Sequence, residues 1–206
     1  MNFITKLIFL LRKPKLIIIS GKGATSAAEA IFSVLKHYFK VKKYTEKIPS
    51  SLNIFSQIFI IKTDLVKPNF VKKLSSLMNL SQLPIFVVTG AGEAQKEIQE
   101  LAKKIPPFGH LVLNFDDETV RKLDDLTNLK ALSFGFQEKA DFWASDVRID
   151  GGINFKVTYK GNIVPFWLEK TLGKEQIPNV LTAISVGTIL DLNFIEISQA
   201  IKNYRP

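Results

Sequence analysis

Short runs of aliphatic and β-branched residues alternate along this chain with stretches whose apolar positions recur at helical spacing. No other feature constrains the fold as tightly. Lys15–Ser20 reads as a buried strand. Residues Thr25 to Phe39 follow with apolar Ala27, Ala30, Ile31, Val34, Leu35 and Tyr38, a helical pattern. The alternation continues through strands at Ile58–Ile61, Pro84–Thr89, His110–Asn114 and Lys130–Phe134. Between them, helices are expected from Pro68 through Leu77, over Glu93–Lys104, and from Asp117 through Leu126. Strands that alternate with helices build a parallel sheet covered on both faces.

The pattern changes after Gly135. Trp143–Ile149, Ile153–Tyr159 and Ile163–Leu168 are short alternating strands, separated at hairpin spacing by Gly151-Gly152 and Gly161-Asn162. They predict a small antiparallel β-subdomain over about residues 141–170. Two C-terminal helices, Ile177–Leu190 and Phe194–Tyr204, complete the chain, with Asn193 in the N-cap region between them.

The turn after the first strand is Ser20-Gly21-Lys22-Gly23-Ala24-Thr25-Ser26. Strand, glycine turn and helix is the layout in which backbone N–H groups and a helix N-terminus cradle phosphate. A Walker loop adds a lysine for the terminal phosphates and a hydroxyl for magnesium. This segment is one residue shorter, and Ala24 stands before Thr25 where that lysine belongs. The fold class expected is therefore α/β: a P-loop-like, mostly parallel sheet flanked by helices, with the antiparallel subdomain and two C-terminal helices.

Several classes are excluded or disfavoured. The 206 residues, 46% hydrophobic, suffice for one sizeable core. Without cysteine there is no disulfide or thiolate chemistry, and two histidines, His37 and His110, do not make a multi-histidine metal site. No apolar run is long enough to span a bilayer, and the early one lacks the features of a secretory signal. Of the net charge of +9, nearly all lies before residue 48, where ten Lys/Arg face two acids. Such a patch either meets a nucleic acid or an anionic membrane or, the simpler reading, is a solvated lysine-rich face. Residues 1–12 are expected to form an amphipathic helix, with Phe3, Ile4, Leu7, Ile8 and Leu11 on one face that docks on the domain, the preferred reading, or lies on a membrane. Asp116, Asp117 and Glu118 are read as favouring a helix start, and the aromatics Phe142, Trp143, Phe155, Tyr159, Phe166 and Trp167 as subdomain core.

Several segments, in order, resemble the central, ATP-binding domain of the Mur ligases. They are Lys13–Gly21, Thr25-Ser26 with Glu29–Ile31, Ile85–Glu97, Val112–Asp117, Leu132–Gly135 and Gly173–Ala183. The likeness covers about residues 13–206 and is nearest to the branch that adds D-alanyl-D-alanine to the muramoyl tripeptide. It implies ATP and magnesium as cofactors and a cytoplasmic place in cell-wall precursor synthesis. It assigns nucleotide contacts to Gly21, Lys22, Gly23, Thr25, Ser26, Gln176 and Asn179, with Thr25 also facing the metal. Measured against a three-domain family, the chain is expected to lack both flanking domains.

The departures from the family pattern are chemical. Ala24 replaces the loop lysine, Lys62 a magnesium-holding glutamate, Gln95 a histidine and Gly90 an asparagine; Lys103 is the nearest match to a carbamylated lysine. The resemblance therefore implies a catalytically degenerate module that binds a nucleotide or a partner, such as a genuine Mur ligase or another cell-wall enzyme. The alternative is an active ATP-dependent ligase that works with other chains.

Overall fold

The computed structural model describes residues 3–48, 55–67, 69–170 and 173–205. Strand β1 (Lys15–Ser20) shows how the two layers around the sheet arise. Successive side chains of a strand point to opposite faces. Ile17 and Ile19 enter one hydrophobic cluster, Leu16 and Ile18 the other, and all four are fully buried. Burying each contributes up to about 1.5–3 kcal/mol, an upper figure because the unfolded chain is already partly compact.

Helices α2 (Ala24–Leu35), α6 (Ile177–Ile189) and α7 (Phe194–Ile201) cover the first face. Helices α1 (Phe3–Arg12), α3 (Phe70–Leu80), α4 (Gln95–Ala102) and the short α5 (Glu118–Arg121) cover the second. Asp117 caps α5 by accepting from the Thr119 and Val120 N–H groups, and Asn193 with Glu196 forms a capping box on α7. The helix expected to run on from α5 breaks into a 3-10 turn at Asp124–Leu126. The helix start expected at Pro68 lies outside the described residues.

Nine strands form one sheet in the order β2-β3-β1-β4-β5-β6-β7-β8-β9. The remaining strands are β2 (Val41–Thr45), β3 (Ile58–Lys62), β4 (Pro84–Val88), β5 (His110–Asn114), β6 (Leu132–Gly135), β7 (Phe142–Ile149), β8 (Ile153–Tyr159) and β9 (Asn162–Leu168). Pairing is parallel from β2 through β7 and antiparallel from β7 to β9.

Strand β2 was not foreseen, because Lys42 and Lys43 interrupt its apolar pattern; it is an edge strand, where lysines block further pairing. The three antiparallel strands expected over about residues 141–170 are present, and they continue the main sheet through β7. Their aromatics do pack inward: Phe142 stacks on Tyr159 at 4.0 Å and Phe155 on Phe166 at 5.8 Å. Two tryptophans are exceptions: Trp167 is half-exposed beneath the Lys202 ammonium, and Trp143 is half-buried and joins neither hydrophobic cluster.

Candidate nucleotide site

Parallel strands deliver their C-terminal ends to one pole of the sheet, and open α/β sheets bind ligands there. At this pole β1 passes into the glycine turn. Gly21 adopts φ 103° and Gly23 φ 86°, both in the left-handed region. A Cβ on Gly21 would stand 2.2 Å from the Gly90 carbonyl oxygen, so the turn can lie against the end of β4 only because position 21 has no side chain.

A ladder of polar contacts holds the strand ends in register. Thr89 donates its N–H to the Ser20 carbonyl at 3.0 Å, and the Asn114 amide donates to the Thr89 carbonyl at 2.9 Å. The Ala91 N–H donates to Asp117 at 2.7 Å. Asp116 does not cap the helix; it accepts from the Phe136 N–H at 2.8 Å and the Gln137 N–H at 3.3 Å. Gly135 makes room for this, since a Cβ there would meet the Asp116 carboxylate at 2.7 Å.

Two clefts flank the glycine turn. The first, about 380 Å³, is lined by Lys22, Gly23, Ser26, Gln176 and Asn179 together with Thr89, Gly90, Asn114, Phe134, Glu175, Pro178 and Thr182. The second, about 360 Å³, is lined by Ser20, Gly21, Lys22, Asp64, Val66, Gly92, Glu93, Ala94 and Ile98. Of the seven residues expected to contact nucleotide, five meet in the first cleft. Gly21 lines the second, and Lys22 lines both. Thr25 is exposed in the first turn of α2 and lines neither.

Asn179 and Gln176 act as a pair. The Asn179 amide donates to Gln176 Oε1 at 2.9 Å, and Asn179 Oδ1 lies 4.0 Å from where a Gly23 Cβ would stand. An amide pair therefore sits beside the turn at the start of α6. Tyr204 braces the same region: its hydroxyl donates to the Ser26 carbonyl at 3.1 Å, and burial, reinforced by the Glu29 carboxylate, pushes its pKa to about 12. At the turn's entry the buried Ser20 hydroxyl has no hydrogen-bond partner among the described residues, an unsatisfied group of the kind a bound ligand satisfies.

The glycine-turn end of the two clefts is poor in positive charge, with Lys22 as the lining cation. Ala24 is buried in the core cluster under α2, so the position of the loop lysine faces packing atoms. Lys62, at the end of β3, donates to Glu46 at 2.9 Å and Asp64 at 2.8 Å. Burial opposes its charge, but the hydrogen bonds to Asp64 and Glu46 outweigh this and hold its pKa above the ordinary lysine value. It thus engages Asp64, which lines the second cleft, together with Glu46. Exposed Glu93 in the second cleft and Glu175 in the first remain, and no cluster of three metal-ligating side chains exists among the described residues. The donor set does not form a prebuilt magnesium site. Gln95 opens α4 on the surface, and Lys103 is exposed at its other end, away from both clefts.

Sequence reasoning had not nominated Thr89, Asn114, Phe134, Glu175, Pro178 or Thr182. The signal for the first three was available: each lies at or just past the C-terminal end of a parallel strand.

A glycine turn between β1 and α2, open to clefts at the C-terminal ends of parallel strands, defines a phosphate-loop-type α/β domain. Residues 93–187 match the family model of the Mur ligase middle domain. The chain is 26% identical over 156 residues to a UDP-N-acetylmuramate–L-alanine ligase of Sulfurihydrogenibium, covering 72% of this chain and 33% of that protein. It is 24% identical to the enzyme of the same name from Persephonella marina, covering 78% and 35%. MurF from Acinetobacter baumannii superposes with a TM-score of 0.76 at 12% identity, over 98% of this chain and 48% of that one. MurF from Thermotoga maritima in complex with ADP superposes at 0.67 with 16% identity, over 94% and 52%. The chain is thus similar to the central domain of the Mur ligases, and it spans about a third of the length of those two curated relatives. Their sequences belong to L-alanine ligases, whereas the MurF likeness is one of fold.

No helix among the described residues is long and apolar enough to cross a membrane.

Proposed function

We propose that this chain is a nucleotide-binding, non-catalytic Mur-ligase-like module that serves peptidoglycan precursor synthesis. The observation that carries the reading is the split character of its site. The amide pair Gln176–Asn179 and the glycine turn meet in one cleft, while the phosphate end has Lys22 as its lining cation. Forming an acyl-phosphate requires a carboxylate oxygen to attack the terminal phosphorus of ATP as ADP leaves. Positioned cations must neutralise the charge that spreads over the phosphoryl oxygens. A buried Ala24 and a Lys62 held between two carboxylates do not supply that arrangement. Binding needs less: backbone N–H groups, a helix N-terminus and one lysine suffice to hold a phosphate.

Lys22 favours the alternative of an active ligase, because it lines both clefts and is exposed. Titration calorimetry with ATP and a non-hydrolysable analogue, with and without magnesium, separates the two. The module binds both nucleotides with Kd below about 1 mM, gains little from magnesium and releases no ADP. Lys22→Ala weakens binding roughly tenfold through loss of a charge-assisted contact. Strongly magnesium-dependent binding with ADP release makes the chain a ligase or ATPase. No binding at millimolar nucleotide removes the nucleotide and leaves a partner-binding scaffold.

A further inference from the structure

The pole opposite the glycine turn carries its own surface. Helix α1 was expected to dock through the face of Leu7, Ile8 and Leu11; instead it docks through Ile8 and Phe9, with Phe9 stacked on Phe59 at 5.8 Å. Leu7, Leu10 and Leu11 are turned outward, 42%, 49% and 74% exposed. Spaced i, i+3 and i+4, they fall within one arc of the helix. An exposed leucine taken singly is ordinary; three on one arc of an otherwise docked helix form a patch.

Next to this patch, the chain enters β1 at the N-terminal end of the parallel strands. Arg12, Lys13 and Lys15 line a shallow cavity of about 290 Å³ there, together with Phe55, which is 67% exposed. No carboxylate lines that cavity, and none of the three cations is in an ion pair among the described residues. Lys36 and Lys40, exposed beyond the C-terminal end of α2, lie at the same pole because α2 runs antiparallel to β1 and returns to the strand starts. The concentration of charge in the first quarter of the sequence thus becomes a concentration in space.

We infer that this pole docks on an anionic membrane surface, with Leu10 and Leu11 entering the acyl boundary and Arg12, Lys13 and Lys15 lying at the phosphate level. Charge complementarity selects the occupant. Basic residues beside exposed aliphatic side chains match a negatively charged headgroup layer above hydrocarbon. A nucleic-acid surface would use the cations but leave the leucines in water, since bases stack on aromatic and guanidinium planes rather than on aliphatic chains. Docking in this way leaves the glycine turn facing away from the membrane, so the inference does not depend on nucleotide binding.

Flotation of the full chain with vesicles tests it. The protein floats with phosphatidylcholine vesicles that contain phosphatidylglycerol, does not float with phosphatidylcholine alone, and is released by salt. Lys13→Glu and Leu11→Gln each lower the partition coefficient about tenfold, while thermal melting shows that both variants stay folded, as their exposure requires. Equal flotation with neutral vesicles, or none with anionic ones, overturns the inference. So does tight binding to a labelled DNA duplex that Leu11→Gln leaves unchanged, or a dimer in sedimentation that Leu11→Gln dissolves without any flotation.

Discussion

The two poles of the sheet are built from the same strands and carry opposite kinds of chemistry. At the C-terminal ends the surface is shaped by backbone: two glycines with positive φ, a carbonyl ladder through Ser20, Thr89 and Asn114, and the start of α2. At the N-terminal ends it is shaped by side chains, with Arg12, Lys13 and Lys15 beside Leu10, Leu11 and Phe55. The physical difference is tolerance. A backbone site depends on close approach and fails when a side chain is added, whereas a side-chain surface projects into solvent and changes its affinity without changing its fold.

The largest expected effect tests the intolerant pole. Gly21→Ala places a Cβ 2.2 Å from the Gly90 carbonyl at φ 103°. It should lower unfolding free energy by about 3 kcal/mol, read as a shifted urea midpoint with an unchanged slope. A shift below about 0.5 kcal/mol would mean that the turn is not packed against β4.

Tyr204→Phe has a smaller effect. It removes the hydrogen bond to the Ser26 carbonyl, which contributes about 1 kcal/mol. The same residue gives a pH signature. Its folded pKa is near 12 against an ordinary 10.0. Between these values the folded state keeps a proton that the unfolded state has released. The stabilisation is therefore fully present below pH 10 and is lost as pH rises towards 12. Thermal melts across that range should fall more steeply for the native chain than for Tyr204→Phe; parallel curves would remove Tyr204 as the cause.

The smallest effect belongs to the tolerant pole. Lys13 has φ 43°, a conformation that strains a lysine and suits glycine. Lys13→Gly exchanges relief of that strain against unfolded-state entropy and should change stability by less than about 1 kcal/mol. If urea midpoints show Lys13→Gly to be as damaging as Gly21→Ala, the contrast between the poles collapses.

The sequence by itself determined the alternation of strands and helices, and therefore a parallel sheet with helices on both faces. It also placed the glycine turn, because buried strands and amphipathic helices have different periods and glycine marks the break between them. The departures from the Mur ligase pattern were equally readable: Ala24 and Lys62 are plain in the sequence. Other features needed the fold. Strand β2 exists because β3 offers it an edge, and no local hydrophobic pattern announces that. The seven nominated residues separated into two clefts, with Thr25 in neither, because the rotation of a helix after a tight turn depends on what it packs against. Asp116 and Asp117 are identical neighbours in sequence, yet one ties the end of β6 and the other caps α5 and holds Ala91. Helix α1 reads from its sequence as amphipathic through a face that includes Leu7, Ile8 and Leu11. Tertiary packing selected Ile8 and Phe9 to dock and left the leucines outside, because Phe59 supplied the partner surface. Periodicity is local and survives in the sequence; the choice among faces is made by contacts distant along the chain.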